Sequence, residues 1–357
     1  MDGHATPYTQ LKALTATLCS NACPGELLAA AREMHALCSK LTELDDNECS
    51  GAMAEDTFLE TGRAINARDA ARCMREYMRT RQFIRGMVAA IDTARRRFPG
   101  NVIDVLYAGC GPFATLALPV CTQLDEGAQV RFTVIDIHQH SLDSVKALVG
   151  ELGLERHIDS YYHGDACTYQ PPRDKKFHIL ASETMQQMLG NEPQFAITAK
   201  LVPYLHPGGI LVPERITVSC CLCAGAQETR IMEGGSPSRV RKEEHMLLVL
   251  DKDTATTLYA QRQQYRMNDK PALAPVDVRF GAQDDLVKDV MLSTHIKVFS
   301  DIELDDYQCS LTTPYILFDQ GKLKQDEPLQ FQYQVSTLPA FYYQRGDGAF
   351  TRIGPRQ

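Results

Sequence analysis

Glu183 and Glu192 stand nine positions apart (192 − 183 = 9) in Ile179-Leu-Ala-Ser-Glu-Thr-Met-Gln-Gln-Met-Leu-Gly-Asn-Glu192. The segment opens as a short apolar run and breaks into polar residues with a glycine. It therefore reads as a strand that ends in a loop, with one carboxylate at the strand tip and one at the loop's far end. Two carboxylates held together repel and raise each other's pKa unless a cation lies between them. A guanidinium suits that place, because its planar fork of donors matches carboxylates two bonds at a time. On its own the pair would pass for a solvated loop. The residues upstream give it a setting.

Three more strand tips precede it. In Val105-Leu-Tyr-Ala-Gly-Cys-Gly-Pro112 a strand runs into Gly109-Cys110-Gly111 and then toward a helix. Glycines let the backbone approach a ligand, and a helix start offers free N–H groups. Val134-Ile135-Asp136 puts an acid at the next tip (136 − 111 = 25 residues on), where such sheets hold a ribose diol. His163-Gly164-Asp165-Ala166 follows at the third tip. There an acid can accept from an adenine amino group. Each feature alone reads as a turn or a cap; three in order point to a nucleoside site.

The elements that must position these residues follow from periodicity. Residues 1–100 read as a helical segment: Gly25 to Leu44 is rich in helix formers, and Tyr77, Ile84, Met87, Val88 and Ile91 share one helical face. That helix stops at Pro99-Gly100, with Arg95, Arg96 and Arg97 suiting its last turn. Residues 101–215 alternate strands and helices: Val102–Tyr107, a helix from Thr115, Arg131–Ile137, Leu142–Leu152, Ser160–His163, His178–Ser182, Pro193–Tyr204 and Gly209–Val212. This is the signature of an α/β, doubly wound, Rossmann-like parallel sheet. In 216–357 short strand-like runs at His245, Asp277, Thr294, Gln308 and Gln330 predict an antiparallel β sandwich or barrel.

Composition bounds the rest. The 357 residues are 44% hydrophobic and 23% charged, with a net charge of −8. That balance does not call for a nucleic-acid partner. No apolar run reaches membrane-span length, and the N-terminus lacks a signal-peptide layout, so a cytoplasmic protein is expected. The twelve cysteines read mainly as small buried hydrophobes. Cys220, Cys221 and Cys223 lie in an alternating run whose neighbours face opposite ways, so no metal is expected there.

The three strand tips together resemble those of the class I S-adenosylmethionine-dependent methyltransferases, with Tyr107 where the first motif usually has an acid. An NAD-binding dehydrogenase fits less well, because Gly109-x-Gly111-x-x-Ala114 closes only in the looser form. Ser182-Glu183-Thr184-Met185 with Glu192 is similar to the Ser-Glu-x-Met…Glu loop of the protein arginine methyltransferases. Those enzymes also carry a helical segment before the sheet and a β barrel after it. The resemblance implies S-adenosylmethionine held by Tyr107, Gly109, Cys110, Gly111, Asp136, Ile137, Gly164, Asp165, Ala166 and Glu183. Arg79, in Tyr77-Met-Arg-Thr80, would meet the cofactor's carboxylate. Glu183, Met185 and Glu192 would bind free arginine, another small guanidino compound or a protein arginine. It also implies a homodimer. The family's Thr-His-Trp loop has no counterpart in this Trp-free chain; Thr294-His295 is the nearest echo. Two other readings remain open. One is an aminopropyl transferase similar to nicotianamine synthase. The other is a non-catalytic nucleoside-binding protein on the same fold.

Overall fold

The structure is a computed structural model and describes residues 5–44, 54–235, 238–281, 286–317 and 327–354. Helices α1 (Pro7–Cys19), α2 (Pro24–Thr42), α3 (Ala67–Arg72) and α4 (Tyr77–Arg97) dominate the N-terminal region. Their starts are written locally. Prolines open α1 and α2, and the side chains of Thr6 and Asn66 cap α1 and α3 by accepting from Thr9 N–H and Asp69 N–H. One stretch departs from the helical reading: β1 (Thr57–Leu59) and β2 (Gly62–Ala64) form an antiparallel hairpin. Thr57, Phe58 and the two-residue Glu60-Thr61 turn before Gly62 favour a strand pair over a helix. Helix α4 buries Phe83, Ile84, Met87, Ala90, Ile91 and Ala94. Its final arginines act as helix-end groups, Arg97 donating to Gly208 O at 3.1 Å and Arg95 to Asp125 at 3.2 Å.

The α/β unit comprises β3 (Ile103–Ala108), α5 (Leu118–Cys121), β4 (Val130–Asp136), α6 (Gln139–Leu152), β5 (Ile158–His163), β6 (Phe177–Ser182), α7 (Gln194–Leu201) and β7 (Leu205–Val212). Its five strands pair in the order β5-β4-β3-β6-β7, all parallel. β6 is buried along its whole length, as a strand covered on both faces should be. β7 begins earlier than expected: Pro207-Gly208-Gly209 lies inside it, accommodated by a register irregularity opposite β6.

Beyond β7 lie β8 (Arg215–Cys223), α8 (Gly225–Met232), β9 (Arg241–Asp251), α9 (Ala255–Gln261), β10 (Tyr265–Met267), β11 (Lys270–Ala272), β12 (Val276–Arg279), β13 (Asp289–Phe299), β14 (Ile302–Leu304), β15 (Tyr315–Leu317), β16 (Pro328–Gln334), β17 (Ala340–Arg345) and β18 (Thr351–Arg352). They build two antiparallel sheets, one of five strands around β8 and β13 and one of six around β16 and β17. Two helices break the all-β expectation. α8 and α9 have 8 and 7 residues, too short for a helical period to stand out. The run at Gln308–Thr312 is not a strand but includes a 3-10 turn, Ser310–Thr312. Cys220 packs in the main core while Cys221 and Cys223 pack in a separate cluster, so the three thiols do not converge.

α4 joins the two units. It packs on β7 and on β13 and β14. A Cβ at Gly86 would sit 2.4 Å from Val298 Cγ1 on β13, so the helix backbone touches the antiparallel sheet directly. Among the described residues no helix is long and apolar enough to cross a membrane.

Candidate active site

The carboxyl ends of β3, β4, β5 and β6 converge on one cavity beside the point where the strand order turns back. That is where open α/β sheets bind ligands. Gly109 (φ 71°) and Gly111 (φ 60°) take left-handed conformations. A Cβ on Gly109 would meet Thr184 Cγ2 at 2.1 Å, because the loop after β6 packs on the glycine turn. Asp136 ties the first two tips together: its Oδ2 accepts from Gly111 N–H at 2.8 Å and its Oδ1 from His138 N–H at 2.9 Å. A carboxylate has roughly four acceptor sites, so capacity remains for a ligand. Asp165 accepts from Cys167 N–H at 2.8 Å. Tyr107, Cys110, Ile137, Gly164 and Ala166 line the same cavity, as do Glu183 from β6 and Arg79 from α4. Every residue that the sequence assigned to a cofactor thus lines one space. One expectation fails: no helix starts at Thr115. α5 begins at Leu118, since the chain after Gly111 wraps through turns with Ala114 at φ 41°, so the glycine turn does not run directly into a helix.

A second cavity opens on the other side of the glutamate loop, with Met185, Arg63, Ser310 and Phe341 among its walls. Ile65, Cys73, Arg79 and Glu192 line both cavities. The cation that a carboxylate pair needs is supplied first by the chain itself. Arg79 Nη2 donates to Glu183 Oε1 at 2.5 Å and Nη1 to Glu76 Oε1 at 3.1 Å. Glu76 also accepts from Ser310, from N–H at 2.7 Å and Oγ at 2.8 Å. Burial opposes the charge on Arg79, yet Glu183, Glu76 and Glu192 hold its pKa well above the ordinary value. Burial pushes the Glu183 carboxyl up against the pull of Arg79. Burial and then the Glu183 charge push Glu192 up to about 7, opposed by Arg79, Gln186 and Arg63. Three carboxylates thus surround one guanidinium, and a further cation would be stabilised beside Glu192.

The loop between the glutamates is strained. Met188, Leu189 and Asn191 have φ of 57°, 54° and 60°, each costing about 1 kcal/mol or more. Contacts from distant elements impose this shape. Met188 N–H donates to Thr294 Oγ1 at 2.8 Å, and Tyr333 Oη donates to Leu189 O at 2.7 Å. Asn191 N–H donates to Pro339 O at 2.7 Å, and Arg63 N–H to Asn191 O at 2.7 Å. From α7, Gln194 Oε1 accepts from Thr184 N–H at 2.9 Å.

No family model matches the sequence, and neither does any curated protein. Solved structures do match. The PRMT1 enzyme–prozyme heterotetrameric complex of Trypanosoma brucei, solved with AdoHcy, aligns at 14% identity and a TM-score of 0.55, over 78% of this chain and 94% of that one. Protein arginine methyltransferase 10 of Arabidopsis thaliana aligns at 9% identity and a TM-score of 0.51, over 77% and 93%. The chain has the fold of the protein arginine methyltransferases.

Within that methyltransferase fold, several wall residues went unread in the sequence. The β1–β2 hairpin brings Leu59, Arg63 and Ala64 to the cavities; its local signals are Thr57, Phe58 and the Glu60-Thr61 turn before Gly62. Gly62 packs so closely that a Cβ would sit 2.4 Å from Pro193 N. Glu76 and Ser310 carried no local signal, because their partnership spans 234 residues. Thr294, noted as an echo of a family motif, holds the glutamate loop through Met188 N–H. Its neighbour His295 instead meets Glu303 at 3.1 Å.

Proposed function

We propose that this protein is an S-adenosylmethionine-dependent N-methyltransferase acting on a guanidino group, with Glu183 and Glu192 clamping the acceptor. The observation that carries the reading is the meeting of two cavities at Glu192 and Arg79. One cavity has the glycine turn, two strand-tip acids that suit a nucleoside, and Glu183; the other reaches Glu192, so the carboxylate pair that suits a guanidinium stands where the two meet. The AdoHcy bound in the trypanosomal structure of the same fold supports the cofactor. S-adenosylmethionine, when bound there, supplies a methyl group on a sulfonium.

The chain's own residues do the remainder. Arg79 orients Glu183, leaving its second oxygen to face the acceptor. The two glutamates draw guanidinium charge toward the nitrogens they grip, so the remaining nitrogen faces the methyl with more electron density. This is electrostatic preorganisation joined to alignment. The methylated nitrogen then sheds a proton, and Glu192, with a pKa near 7, is placed to receive it.

The test is methyl transfer from labelled cofactor to a panel of guanidino acceptors, with product analysis. S-adenosylhomocysteine formation supports the reading. Methylthioadenosine formation would mean aminopropyl transfer instead. Glu183→Gln should lower turnover by at least about 100-fold while cofactor affinity changes little. Turnover close to wild type in that variant refutes the clamp.

A further inference from the structure

The second cavity carries charge of both signs. Arg63, from β2, lines its wall together with Glu192. Its only described charged partner is Asp56, reached by Nη1 at the long distance of 3.4 Å. Asp56 is already committed, since its Oδ1 accepts from Asn66 N–H at 2.9 Å and Asn66 Nδ2 at 2.8 Å. The Nε–H of Arg63 is buried and meets no acceptor. A buried donor without an acceptor costs about 1–3 kcal/mol, more when it is charged, so its retention in a cavity wall points to an acceptor brought by a ligand. Arg352, which donates to Asn191 Oδ1 at 2.6 Å, adds positive charge to the same wall. Arg63 and Glu192 line the same cavity.

Resting on the guanidinium clamp argued above, we infer that the second cavity takes a free amino acid with a guanidino side chain, its α-carboxylate held by Arg63. Such a molecule carries both complements, a cation for Glu192 and an anion for Arg63, which line this cavity together. Charge-assisted pairing of a carboxylate with Arg63 would satisfy the orphaned Nε–H. An arginine within a peptide offers only a neutral amide at that point, a weaker acceptor for the Arg63 Nε–H than a carboxylate.

The test compares kcat/KM for L-arginine, agmatine (the same chain without the carboxylate) and an N-acetylated, C-amidated arginine, in wild type, Arg63→Gln and Arg63→Lys. Cofactor binding, followed by titration with S-adenosylhomocysteine, reports whether each variant is folded. Wild type should prefer L-arginine over both analogues by at least about tenfold, mostly through KM. Arg63→Gln should cost L-arginine about tenfold or more while leaving agmatine within about twofold, and Arg63→Lys should recover part of the loss. Equal use of the three acceptors, preference for the capped arginine, or an equal loss for arginine and agmatine in Arg63→Gln overturns the inference while leaving the clamp standing. Failure of wild type to methylate any of them, with cofactor bound, overturns the clamp itself and this inference with it. Should Arg63→Gln not fold, the wild-type acceptor series and Arg63→Lys decide alone.

Discussion

Glu192→Gln should make the protein more stable and less active at once. Glu192 is buried, and its carboxyl is pushed from an ordinary 4.5 to about 7. The folded state therefore resists its ionisation, whereas the unfolded chain gives up the proton near 4.5. The destabilisation is complete above about pH 7 and relieved as pH falls toward 4.5. A shift from 4.5 to about 7 corresponds to about 3 kcal/mol. Gln has no proton to lose, so Glu192→Gln should remove that cost at pH 8 and differ little from wild type near pH 5. With an unfolding entropy of about 2 cal/mol/K per residue, the gain at pH 8 is roughly 4 °C in Tm over 357 residues. Activity should move the other way, by about 100-fold or more, because a neutral amide cannot draw guanidinium charge. Wild-type kcat/KM should also rise about tenfold per pH unit below about pH 7 and level off above it, since it reports the free enzyme's ionisation and the acceptor's guanidinium does not titrate there. Thermal unfolding of both proteins at pH 5 and pH 8, beside the pH profile, measures all of this. A variant no more stable than wild type at pH 8, or a wild-type profile flat from pH 6 to 8, refutes the reasoning.

Gly109→Ala should abolish cofactor binding in an S-adenosylhomocysteine titration, because a Cβ there, at φ 71°, would drive into Thr184 Cγ2 at 2.1 Å. Thr294→Val should leave cofactor affinity close to wild type yet lower turnover about tenfold or more, since it frees Met188 N–H in a strained loop; unchanged kinetics would show that the loop keeps its shape without that bond. His178 is buried and accepts from Asp104 N–H through Nδ1 at 3.0 Å, and burial, with His206 adding to it, holds its pKa below 6.5. The unfolded chain then takes the proton first, so this contribution is present above about pH 6.5 and is lost as pH falls below it. His178→Asn keeps an acceptor near that position without a titration, and should flatten this part of the stability profile measured by denaturant unfolding between pH 7 and 5.

The alternation of strands and helices from Val102 to Val212 was legible because each element is long enough to show its own period and each tip carries its glycine or acid next to it in sequence. For that reason the nucleoside-side residues, from Tyr107 to Ala166, could be read without seeing the sheet. α8, α9 and the β1–β2 hairpin were not legible: each is shorter than the window in which a period declares itself. The helix expected at Thr115 failed because Pro112 and the Ala114 turn spend the following residues on loop geometry.

Glu183 and Glu192 mark the boundary between the two kinds of knowledge. Their identity, their spacing and their place after a buried strand are local facts, and the chain alone determined them. Their electrostatics are not local. Arg79 comes from a helix 104 residues away from Glu183. Thr294 and Tyr333 hold the loop from the antiparallel sheets, Pro339 from the turn between β16 and β17, and Arg63 from the hairpin through its N–H. Only the tertiary structure decided that three carboxylates share one internal guanidinium, that Glu192 is pushed up to about 7, and that an arginine with an unpartnered Nε–H lines the same cavity as Glu192. Charge and burial depend on what the fold brings within a few ångströms, and no spacing along the chain encodes that.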